Sequence, residues 1–155
     1  MPYLIDGNNV MAQTVGWHRD KVGARKGLIR DLARFVAAHR GRVQVVFDGV
    51  PDEEFPEGTK YRSVHILYAR HGSDADSRIK EMIGKSSYKR DIIMVSSDRE
   101  LVSFANRHGT RVMTSGRFRK MLEEAKTTSR SKSEADLGEH VNIEEWLEYF
   151  SETER

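Results

Sequence analysis

Five short apolar runs punctuate the chain: Tyr3-Leu4-Ile5, Val43–Phe47, Ser63–Ala69, Asp91–Ser96 and Arg111–Thr114. Each has the length of a strand and stops at polar or turn-forming residues. Between them, apolar positions recur at the three- and four-residue spacing of a helix. Leu28, Ile29, Leu32, Ala33, Phe35 and Val36 predict a helix over 25–40, stopped by Gly41. Ile79, Met82 and Ile83 predict a second, with Ser73 and Asp76 spaced as a capping box. Leu101, Val102, Phe104 and Ala105 predict a third, opened by Ser97 with Glu100 and closed by Gly109. A fourth is expected over 116–126. Residues 10–24 show no period and contain Gly16 and Gly23, so a loop is expected there. Within it Trp17 would anchor the loop on the body or offer a stacking surface to an unpaired base. Val50–Lys60, with Pro51, Pro56 and Gly58, reads as a surface loop.

Strands alternating with helices define an α/β domain. The expected architecture is three-layer and Rossmann-like, with a mostly parallel sheet of about five strands and helices on both faces. The folded body covers 1–126. Residues 127–141 are polar and read as a flexible linker. Residues 142–155 hold a short acidic helix, docked on the same domain through Trp146, Leu147 and Phe150.

Carboxylates fall at the ends of these runs. Asp6, Asp48 and Asp98 each follow a strand directly, and Asp76 opens the helix after the third strand. Parallel strands bring all four to one edge of the sheet, where open α/β domains carry their sites. Each aspartate also has a plainer role, ending a strand or favouring a helix dipole. Gathered together, they repel one another unless a cation intervenes. The donors are hard oxygens with no sulfur, which select Mg2+ or Mn2+. Ions held this way polarise phosphate oxygens and activate water for attack at phosphorus. Asn8 and Ser97 are expected to orient water or a ligand carboxylate.

Charge sharpens this picture only through its placement. The net charge is +2, too small to announce a polyanion partner. Lys26, Arg30 and Arg34, however, recur every fourth residue on the first long helix. Arg117, Arg119 and Lys120 stand at the start of the fourth, where cations oppose the helix dipole and call for an anionic partner such as RNA. The chain has no cysteine, which excludes disulfides and thiolate metal sites and fits a reducing, cytoplasmic setting. It starts directly in a strand and has no membrane-length apolar run, so no membrane association is expected.

Tyr3-Leu-Ile-Asp-Gly-Asn-Asn9, Val46-Phe-Asp-Gly49, Ala75-Asp-Ser-Arg-Ile79 and Val95-Ser-Ser-Asp98 together resemble the NYN domain of the YacP type, within the PIN-like nuclease superfamily. The resemblance spans roughly residues 3–125. It implies a metal-dependent endoribonuclease with Asp6, Asp76 and Asp98 in the acidic site, and Asn8, Asp48 and Ser97 as accessory groups. It further implies action on single-stranded RNA and a family-level link to the ribosome and mRNA decay. A monomer is expected. The alternative is a non-catalytic RNA- or ribosome-binding module on the same fold. Haloacid-dehalogenase phosphatases would need Asp-x-Asp where this chain has Asp6-Gly7-Asn8, and receiver domains an acidic pair there.

Overall fold

The computed structural model describes residues 2–138, with side chains as far as Thr127. Strand β1 (Pro2–Asp6) leads into the short helix α1 (Gly7–Met11), a single 3-10 turn at Trp17–Arg19 and helix α2 (Lys21–His39). Strands β2 (Arg42–Phe47), β3 (Thr59–Tyr61) and β4 (Val64–Tyr68) follow, then α3 (Ala75–Lys85). The chain continues through β5 (Ile93–Val95), α4 (Arg99–Arg107), β6 (Arg111–Met113) and α5 (Ser115–Gly138). One six-stranded sheet results, ordered β3-β4-β2-β1-β5-β6. All neighbours run parallel except β3, which is antiparallel to β4.

Side-chain alternation along the strands sorts the core into two layers. Ile5, Val43, Val45, Phe47, Val64, Ile66 and Val95 face one side, where Leu28, Leu32 and Phe35 of α2 and Phe118 and Leu122 of α5 cover them. Leu4, Val46, Leu67 and Met94 face the other, under Ile79 and Ile83 of α3 and Leu101 and Ala105 of α4. Each such side chain, once fully buried, contributes about 1.5–3 kcal/mol. The parity matters for the site. Asp6 continues the Leu4 side, Ser96 the Met94 side and Asp48 the Val46 side, so all three are directed toward α3 and α4.

Several expectations are corrected. The segment 50–60 is not wholly loop: Thr59–Tyr61 forms the edge strand β3, making six strands rather than five. The loop expected over 10–24 is interrupted by α1, the 3-10 turn and the start of α2 at Lys21, where Asp20 caps the Gly23 amide at 2.9 Å. Trp17 is half-buried against the first core layer, as an anchor would be. Neither expected serine caps its helix. Asp74 caps α3 through the Ser77 amide at 2.8 Å, and Asp98 caps α4 through the Leu101 amide at 3.0 Å. In both cases a carboxylate sits one residue closer to the first turn and accepts more strongly than a hydroxyl. Finally, α5 continues to Gly138, so the stretch expected as linker is helical over 127–138. The expected tail helix at 142–155 lies outside the described residues.

Candidate active site

Register brings the aspartates to one place. Asp6 pairs with Val46, and Ile5 with Val95, so the C-terminal ends of β2, β1 and β5 lie side by side. Asp6 ends the middle strand and is buried. The Ser96 hydroxyl, at the end of β5, donates to Asp6 Oδ2 at 3.0 Å. That same oxygen of Ser96 accepts the Asp98 amide at 3.1 Å, so one fully buried serine ties two of the expected site residues together.

Burial dominates the electrostatics of Asp6 and pushes its pKa up from an ordinary 3.8 to about 6. The Ser96 hydroxyl and the Asn9 backbone pull the other way, while the nearby charges of Asp48 and Asp76 raise it further. Burial also raises Asp76, a rise that Lys80 opposes and that Asp98 and Glu100 reinforce. The four aspartates therefore share one electrostatic neighbourhood. Lys80 already supplies a positive charge at its rim, 3.3 Å from Asp76 Oδ2 and 2.6 Å from Glu100 Oε1.

The two asparagines after Asp6 reach in opposite directions. Asn8 Oδ1 accepts the Asp48 amide at 2.9 Å, fixing the end of β2. Asn9 Oδ1 accepts the Ser97 amide at 2.9 Å and also the Ser115 hydroxyl, fixing the turns after β5 and β6. Asp48 Oδ1 in turn accepts the Ala75 amide at 2.7 Å and draws the start of α3, with Asp76, toward the edge. Behind it, Arg25 of α2 donates to the carbonyls of Asp48 and Val50 at 3.2 and 3.1 Å and lies over the rings of Phe47 and Tyr68.

Asn8 and Ser97, expected to orient water or a ligand carboxylate, also brace turns: Asn8 Oδ1 accepts the Asp48 amide, and Ser97 Oγ accepts the Ser115 amide at 3.0 Å. Asn9 and Ser96 stand inside the Tyr3–Asn9 and Val95–Asp98 motifs without being singled out by them, and Ser115 and Lys80 carry no sequence signal.

Among the described residues, no three carboxylate or imidazole side chains lie close enough to form a ready-made metal cage. The donor set nevertheless suits Mg2+ or Mn2+. Mg2+ keeps most of its waters and commonly needs only one or two carboxylates. Asp6 and Asp76 are the residues that would hold it, with Asp48 and Asp98 at the same sheet edge. A buried carboxylate held part-protonated near neutral pH is also one that a cation would stabilise in its charged form.

The expected RNA-contacting cations divide into two sets. Lys26 pairs with Glu54 at 2.9 Å. Arg34 and Arg119 both pair with the buried Asp31, at 3.7 and 3.3 Å, and Lys126 joins them at 3.5 Å. These ion pairs seam α2 to α5, because a buried carboxylate must be compensated. Arg30, Arg117 and Lys120 are exposed and make no ion pair among the described residues. Two clefts open at the strand ends. A shallow one of about 610 Å³ is lined by residues of α4 together with Ser97 and Thr114. Another, of about 580 Å³, lies between the loops after β2 and β4, with Glu57, Arg70 and Arg78 in its walls.

A mostly parallel sheet between two helical layers, with acidic side chains gathered at its C-terminal edge, is a fold of the PIN-like nuclease type. The model of the YacP-like NYN domain matches residues 3–152, and the chain belongs to that family. The crystal structure of Rae1 (YacP) from Bacillus subtilis is similar, with a TM-score of 0.68 at 20% identity over 97% of this chain and 92% of that one. Its W164L mutant gives a TM-score of 0.73 at 18% identity, over 95% and 90%. These likenesses establish the fold. Among curated proteins, none matches the sequence. No helix among the described residues is long and apolar enough to cross a membrane.

Proposed function

We propose that this domain is a metal-dependent endoribonuclease that cuts single-stranded RNA, using Mg2+ or Mn2+ held by Asp6 and Asp76 with Asp48 and Asp98 in support. What supports the reading is the placement of these aspartates along one sheet edge, where Asp6 is buried and feels the charges of Asp48 and Asp76. When bound, such an ion polarises a non-bridging phosphate oxygen and makes water a better nucleophile. The chain supplies orientation. Ser96 holds the Asp6 carboxylate, and Asn8 and Asp48 fix the start of α3, which carries Asp76, at the same edge. Lys80, beside Asp76, offers a cation to a phosphate oxygen. By family resemblance the substrate is mRNA in the cytoplasm, with the ribosome as a docking partner.

The test is cleavage of an end-labelled RNA with Mg2+ or Mn2+, free and on ribosomes, by wild type, Asp6→Asn and Asp76→Asn. Cutting that both substitutions abolish while RNA binding persists supports the enzyme. If wild type cuts nothing under either metal, yet still binds RNA or ribosomes, the domain is a binding module instead.

A further inference from the structure

Three of the six expected cations are already paired, and arginines outside that set mark a path. On α4, Arg99, Ser103, Asn106 and Arg107 fall at spacings of three, four and eight residues and share one helix face. They form a wall of the shallow cleft that begins at Ser97, next to Asp98, and has Val102 and Thr114 as its apolar patches. Among the described residues no carboxylate lines it. Neither Arg99 nor Arg107 makes an ion pair among the described residues; Arg107 only lies over the Phe104 ring, at 6.0 Å. Thr114 closes the cleft on its far side, and the exposed Arg117 follows it in the first turn of α5, its amide donating to Thr114 Oγ1 at 3.2 Å. The cleft between the loops after β2 and β4 is the opposite case. Its arginines are neutralised, Arg70 by Glu81 at 3.1 Å and Arg78 by Glu57 at 2.7 Å.

We propose that the α4 cleft is the track along which single-stranded RNA enters or leaves the acidic edge, with Arg99 and Arg107 on separate phosphates of the strand and a base against Val102 and Thr114. This rests on the nuclease reading above and adds the direction of the strand, over the β5–β6 side and not across α2. Arg99 and Arg107 are separated by about 12 Å along the helix axis, which spans more than one phosphate. Arginine is suited to both tasks, since its guanidinium binds phosphate through two donors and stacks on bases.

The experiment measures anisotropy of a short fluorescein-labelled oligouridine in EDTA, across a salt series, with the full chain. Arg99→Ala with Arg107→Ala is expected to weaken binding about tenfold and to reduce the slope of log K against log salt by about 1.4, at about 0.7 per phosphate contact on a single strand. Arg99→Lys with Arg107→Lys keeps the slope, which separates lost charge from a disturbed fold. Arg42→Ala, at the opposite end of the sheet, changes neither quantity. If wild type binds and cuts RNA while the alanine pair keeps the full slope, the track is overturned and the nuclease survives; the cleft then serves some other partner. If wild type neither binds nor cuts, both readings fall.

Discussion

Asp6→Asn should cost the protein its chemistry and yet stabilise its fold, and the size of that gain depends on pH. The carboxyl of Asp6 titrates near 6 in the folded chain against 3.8 ordinarily, chiefly because it is buried. The unfolded chain therefore releases this proton first. Stability falls as pH rises from about 3.8 to about 6, and above that the whole loss stands, about 3 kcal/mol at 1.36 kcal/mol per unit. Asparagine does not titrate, and its oxygen can still accept from the Ser96 hydroxyl that now meets Asp6 at 3.0 Å. Near pH 4.5 only about 1 kcal/mol of the loss has accrued, so the gap between variant and wild type should widen by about 2 kcal/mol on going to pH 8. In melting temperature that is about 4–8 °C. Urea unfolding in EDTA at the two pH values measures it. A gap of equal size at both would refute the claim that Asp6 is held part-protonated by its surroundings.

Three other perturbations separate structure from RNA binding. Gly7→Ala would put a methyl group 2.5 Å from the Phe47 ring and 3.0 Å from Val45, so it should cost about 1–3 kcal/mol in urea unfolding; an unchanged midpoint would mean that the ring moves aside freely. Arg119→Ala removes one of three cations around Asp31 and should cost about 1–2 kcal/mol while leaving the salt slope of RNA binding intact. Arg117→Ala with Lys120→Ala should do the reverse, holding stability within about 0.5 kcal/mol and reducing the slope. An unchanged slope would remove that pair from the interface.

Most of the sheet was legible because apolar runs such as Val43–Phe47 declare themselves whatever surrounds them. Strand β3 did not, since Thr59-Lys60-Tyr61 has no apolar period and pairs only because Val64–Ile66 presents an open edge. The positions of Asp6, Asp48 and Asp98 were readable from where the runs stop. Their wiring was not: the partners of Asn9 and Ser96 are set by register between strands far apart in the sequence. The basic stripe misled for a related reason. Lys26, Arg30 and Arg34 repeat every fourth residue, but the buried Asp31 that claims Arg34 looks in the sequence like any exposed helical aspartate.

The bonds made by Asn8 and Asn9 span 40, 88 and 106 residues. During synthesis Asp6 is made long before its surroundings, and the clasp around it cannot close until Ser115 has been added. Closing such long loops is costly and slow, and domains acquire their most distant contacts last. A growing or truncated polypeptide that stops short of β5 thus carries the first acidic residue without the strand and turns that hold it, and the acidic edge is complete only once nearly all of the sheet is in place.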